Sequence, residues 1–188
     1  ELKKPQPKNH FTIGIIDDRR VSLDALPRHI VRGTPHLGTA QVRSAREAIA
    51  RRDDLVMVPP FDHPDIVAGQ ATCGLEIVEQ APSLATVLVP VGGGGLLAGV
   101  AAAVGALRPD VEVIGVEPEG APKLSAALEA GAPVELGETS SLADGLLTRS
   151  VGATPWAIIR ERVHRAVQVS DEDLRQAVRH LWHRQGLR

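Results

Sequence analysis

Four consecutive glycines, Gly92 to Gly95, stand between two apolar runs of different character. Before them, Thr86-Val87-Leu88-Val89 has the β-branched content of a short buried strand. After them, Leu96 to Leu107 is a run of Ala, Leu and Val with good helix propensity. A bare turn between strand and helix needs fewer glycines. A run of them lets the backbone approach an anion closely and present successive N–H groups to it, and the start of a helix adds partial positive charge. The spacing therefore predicts a phosphate cradle made of Gly92, Gly93, Gly94, Gly95 and the first helical residue, Leu96. A side chain at the closest of these positions would stand in the anion's way.

The kind of phosphate is left open by the loop alone. Gly93-x-Gly95-x-x-Ala98 also fits the dinucleotide fingerprint, and a second strand, Val111 to Val116, ends at Glu117, where a ribose-binding carboxylate belongs. A non-catalytic module for NAD or another phosphate ligand is the competing reading.

Three flanking segments bear on the choice: Pro60-Phe61-Asp62-His63-Pro64-Asp65-Ile66-Val67-Ala68-Gly69-Gln70, Gly115-Val116-Glu117-Pro118-Glu119 and Leu142-Ala143-Asp144-Gly145-Leu146. Together with the tetraglycine, in this order and spacing, they resemble the serine/threonine dehydratase and serine racemase family, pyridoxal-phosphate enzymes of the tryptophan-synthase-β-like fold. The resemblance runs from about residue 44 to 188. It implies pyridoxal 5'-phosphate as cofactor, held by Gly92, Gly93, Gly94, Gly95 and Leu96, with Gly145 lying along it. It also implies α,β-elimination or racemisation of small hydroxy amino acids, an amino-acid substrate and a homo-oligomer. In metal-binding members a glutamate matching Glu117, the carbonyl matching Ala121 and an acidic residue at position 123 hold a divalent cation. Here position 123 is Lys123, electrostatically adverse to a metal. Without a metal, Glu117 reads as a solvated strand end.

The same resemblance exposes a gap. The family's chemistry needs a lysine in a Ser-Phe-Lys-x-Arg-Gly-Ala context, which holds the cofactor covalently and moves the α-proton. The lysines of this chain are Lys3, Lys4, Lys8 and Lys123, and none has that context. No residue is therefore assigned a catalytic role, and the chain is expected to be inactive as it stands. Asp62 and His63 read as neighbours in a turn rather than an acid–base pair.

Alternating elements define the fold class. Helices are expected over 44–52 (Ser44 and Glu47 as capping box), from a cap at Asp65 to about 80, over 95–107, 121–130, 154–161 and from Ser170, with Asp173 as its capping partner, to about 185. Strands are expected over 11–16, 55–58, 86–90, 111–117 and 166–169. This is an α/β pattern, a three-layer sandwich on a mainly parallel sheet, part of a tryptophan-synthase-β-like large domain. Residues 44–188 form the expected pyridoxal-phosphate-dependent α/β domain, and 1–43 an irregular or foreign segment. Within the latter, Lys8 to Asp18 weakly resembles a stretch of pyruvate:ferredoxin oxidoreductases.

Composition excludes other classes. A formal charge of −2 and the absence of Tyr, with only Phe11, Phe61, Trp156 and Trp182 as aromatics, argue against nucleic-acid binding. No apolar run is long enough for a membrane span, and no secretory signal is visible. The single Cys73 excludes an internal disulfide and fits a reducing cytoplasm; its apolar neighbours predict a buried position.

Overall fold

The computed structural model describes residues 12–14, 29–31 and 59–185. The chain divides into two compact units, Glu1–Pro59 and Pro60–Arg188. In the first, β1 (Thr12–Gly14) pairs in parallel with β2 (His29–Val31). The helix expected over 44–52 and the strand expected over 55–58 lie outside the described residues, as do Lys3, Lys4 and Lys8.

The second unit runs α1 (Pro64–Gln80), β3 (Thr86–Pro90), α2 (Gly95–Leu107), β4 (Glu112–Pro118), α3 (Lys123–Ala130), a 3-10 turn (Asp144–Leu146), α4 (Ala153–Arg162), β5 (Ala166–Val169) and α5 (Asp171–Gln185). β3, β4 and β5 form a parallel sheet in that order, so the α/β class and parallel sheet are as expected. The register sets Pro90 beside Val116 and Pro118 beside Val169. Both loops that leave β3 and β4 therefore emerge at the same carboxyl edge.

The core lies between the sheet and its helices. Val87 and Val89 of β3 and Val113 of β4 meet Leu97, Val100, Ala101 and Val104 of α2, with Leu124 of α3 and Ile159 of α4 closing the cluster. With few aromatics to fill space, close approach of backbones does the filling. Gly115 in β4 is one such point: a Cβ there would overlap Leu124 and stand 3.2 Å from Leu97, so α2 and α3 cover the same face of the sheet. At the α1–α2 crossing, a Cβ on Gly99 would come within 2.6 Å of the Ala71 amide nitrogen and the Val67 carbonyl oxygen.

Two local expectations change. The α1 cap is His63, whose Nδ1 accepts from the Asp65 amide at 3.2 Å, rather than Asp65 itself. Pro64 at the first helical position explains the shift, because its ring presets the helical φ and its missing N–H needs no partner. Cys73 is exposed, because the contact of α1 with its neighbour runs through Val67 and Gly74 and leaves Cys73 on the outer side. At α5 the expected capping box is present: the Asp173 amide donates to Ser170 Oγ at 3.1 Å, and the Ser170 amide to Asp173 Oδ2 at 3.0 Å.

Candidate functional site

β3 ends at Pro90, and the Val91 amide still donates to the Val116 carbonyl at 2.8 Å, which pins the start of the glycine loop to β4. Gly94 then turns the chain with φ of +93°, a left-handed conformation that favours glycine, and α2 begins at Gly95. The first amide to close a helical bond is that of Ala98, onto the Gly94 carbonyl at 2.8 Å. Among the described residues, the amides of Gly92, Gly93, Gly94, Gly95 and Leu96 donate to no backbone carbonyl. Five successive N–H groups at the positive end of a helix are what an anion requires.

Each glycine is also enforced by a neighbour. A Cβ on Gly93 would overlap the Phe61 ring, and one on Gly95 would stand 3.2 Å from the Phe61 backbone. On Gly92 it would lie 3.2 Å from the Gly145 carbonyl oxygen. On Gly94 it would press on Val151, Ile159 and Pro155 at 3.0–3.1 Å. The expectation that side chains here would meet the anion thus needs correction at Gly94: its missing side chain faces the hydrophobic core, because the left-handed turn rotates the Cβ direction inward.

The structure brings Gly145 to the loop. It also gives Phe61, Asp62 and Gly152 a part that the sequence had not revealed. The Gly152 amide donates to the Gly93 carbonyl at 3.0 Å. The Asp62 carboxylate accepts from the Thr154 amide at 2.8 Å and the Ala153 amide at 3.2 Å, so it caps α4 from across the chain. Asp62 and His63 cap two different helices and do not act as a pair. Burial opposes the charge on Asp62, but the bonds from Thr154 and Ala153 outweigh it and hold its carboxyl below the ordinary 3.8. A depressed carboxyl pKa gives stability that is present above the unfolded value and is lost as pH falls through the folded one. Asp62→Ala is therefore expected to cost about 1 kcal/mol near neutral pH. The gap between variant and parent should narrow as pH falls below the ordinary carboxyl value of 3.8 and through the lowered folded one. Urea melts at neutral and acid pH check this, and a gap that persists in acid contradicts it.

Glu117 and Ala121, the positions that the family resemblance offers to a metal, make other contacts. Glu117 is fully buried. Its Oε2 accepts from the Leu124 amide at 2.7 Å and its Oε1 from the Ser125 amide at 2.8 Å, which caps the first turn of α3. Lys123, equally buried, donates from Nζ to the Ala121 carbonyl at 3.0 Å and the Leu146 carbonyl at 2.9 Å, and lies 3.7 Å from Glu117 Oε2. Burial pushes the Lys123 ammonium down to about 8, against the pull of Glu117, so it keeps its proton at pH 7. These residues do not fit a divalent cation. The Lys123 ammonium already neutralises the carboxylate and occupies the Ala121 carbonyl, and a second cation beside Nζ would be repelled. Among the described residues, no group of three or more His, Cys, Asp and Glu side chains could hold a metal. No helix among them is long and apolar enough to cross a membrane.

The sequence and fold are similar to those of known proteins. The model of the family described as pyridoxal-phosphate dependent enzyme matches residues 23–188. A putative threonine dehydratase of Sinorhizobium fredii is 45% identical over 138 residues, which is 72% of this chain and 42% of that protein. An L-threonine ammonia-lyase of Geobacter sulfurreducens is 42% identical over 123 residues, 65% of this chain and 31% of that protein. Among solved structures, a threonine deaminase from T.th. superposes with a TM-score of 0.67 at 46% identity, covering 69% of this chain and 49% of that one. Maize serine racemase gives 0.76 at 26% identity, covering 85% and 49%. The chain spans about half the length of these proteins or less. By motif order, fold and family match together, this chain belongs to the pyridoxal-phosphate dependent enzymes, in the company of threonine dehydratases and serine racemases.

Proposed function

We propose that the chain is a threonine/serine dehydratase-type protein whose α/β unit holds the phosphate of pyridoxal 5'-phosphate on the amides of Gly92 to Leu96, with the Gly145 turn beside it. The observation that carries this reading is the row of five amides without a backbone acceptor, at a helix start whose glycines leave no room for side chains. When bound, the cofactor supplies an electron sink for the bond pair left as the α-proton of an amino acid departs.

The chain's own residues do the holding. The amides bind the phosphate, Phe61 and Gly152 fix the loop from either side, and Asp62 ties α4 to the same turn. Binding without turnover is supported by the burial and bonding of Lys123 and by the lack of the family's lysine context at Lys3, Lys4 and Lys8. The relatives named as threonine dehydratase and threonine ammonia-lyase make hydroxy amino acids the substrate class of the parent chemistry.

The dinucleotide reading finds less support. It needs Glu117 to accept from a ribose, and both Glu117 oxygens already take backbone amides. Titration calorimetry with pyridoxal phosphate, unphosphorylated pyridoxal and NAD separates the two. Binding of pyridoxal phosphate, competed by inorganic phosphate, is expected, with no heat from NAD. Saturable NAD binding without pyridoxal phosphate binding would reverse the assignment.

A further inference from the structure

Lys123 is the largest of the fully buried side chains among the described residues. Removing an ammonium from water is expensive, and it is tolerated only where the surroundings return the lost interactions. Here three oxygens do so: one carboxylate and two backbone carbonyls, at 3.7, 3.0 and 2.9 Å. They come from three separate segments, the end of β4, the loop entering α3 and the Asp144–Leu146 turn. Carboxylate and carbonyl oxygens are the ligands of a hard cation. In this chain the cation is covalently attached and singly charged, which balances the single charge of Glu117.

We propose that the Lys123 ammonium is a tethered structural cation that replaces a bound divalent ion, and that it positions the Asp144–Leu146 turn against the tetraglycine loop. Its bond to the Leu146 carbonyl anchors that turn. The neighbouring Gly145 carbonyl faces Gly92, where a Cβ would lie only 3.2 Å away. Lys123 is thus a positioning residue, and the wall beside the phosphate loop is set without metal.

Thermal unfolding of the full chain in EDTA, in calcium and in magnesium tests this. The parent should melt at one temperature in all three. Lys123→Met should melt lower by about 10 °C and stay there when calcium is added. Lys123→Asp restores an acidic ligand; it should melt equally low in EDTA and recover about half of the loss in excess calcium. Direct calorimetry of calcium and magnesium with the parent should give no binding, a result that stands even if a variant fails to fold. Calcium-raised melting or stoichiometric metal binding in the parent would overturn the proposal. So would a Lys123→Met chain as stable as the parent, or a folded Lys123→Asp chain indifferent to both ions.

Discussion

Purified and supplied with saturating pyridoxal phosphate, this chain is expected to release 2-oxobutyrate from threonine no faster than free pyridoxal phosphate does. Elimination requires a base at the α-carbon, and proton transfer by a positioned side chain is worth roughly 10²–10⁴ in rate. Lys3, Lys4 and Lys8 lack the sequence context in which the family carries its lysine. Lys123 is the one lysine among the described residues, and its geometry removes it from contention. Its Nζ is buried, spends two donors on the Ala121 and Leu146 carbonyls and faces Glu117. Freeing it to reach a substrate would break both bonds and leave the Glu117 carboxylate buried without a counter-charge, a loss of about 3–5 kcal/mol. A coupled assay for the 2-oxo acid, run beside a cofactor-only control, decides the matter. Steady turnover above that control, abolished in Lys123→Ala, would make Lys123 catalytic and contradict the account.

Gly94→Asp is expected to unfold most of the second unit rather than merely weaken ligand binding. Three costs act together. A left-handed backbone costs a non-glycine residue roughly 1–2 kcal/mol. A Cβ at 3.0–3.1 Å from Val151, Ile159 and Pro155 overpacks the core, for about 1–3 kcal/mol more. A carboxylate pressed into that apolar contact adds several kcal/mol. The sum approaches the ~5–15 kcal/mol that holds a typical domain together. Gly94→Ala carries only the first two costs and should remain folded but less stable. Circular dichroism melts of both variants read this out. A Gly94→Asp chain that melts within ~2 °C of the parent would show that the turn can reorganise and that α4 does not press on it.

Much of the unit is legible in the sequence because its signals are local. β3, α2 and β5 fall on the residues where apolar runs and glycine stops predict them. The Ser170–Asp173 box is a short-range motif and forms as read. What stays hidden depends on contacts distant in sequence. Asp62 caps a helix 91 and 92 residues away, and the sequence near Asp62 carries no trace of that partner. The apolar neighbours of Cys73 predict burial, yet the helix contact is set by Gly74 and by Gly99 on another element. Glu117 reads from the sequence as a solvated strand end unless it holds a metal or a ribose, and in the structure it is fully buried and takes two backbone amides. Its burial follows from α3 folding back over β4, which delivers two amides and the Lys123 ammonium to one carboxylate. In the sequence the glycines point to ligand access alone, whereas Gly93 and Gly94 are equally demanded by Phe61 and by Val151 and Ile159.

The central claim is that the amides of Gly92 to Leu96 hold the phosphate of pyridoxal phosphate. Amide proton shifts of the 15N-labelled chain test it most directly. Titration with pyridoxal phosphate should move the resonances of Gly92, Gly93, Gly94, Gly95 and Leu96 most, inorganic phosphate should move the same set, and unphosphorylated pyridoxal should leave them in place. Pyridoxal phosphate binding that perturbs other residues while these five amides stay unmoved would contradict it.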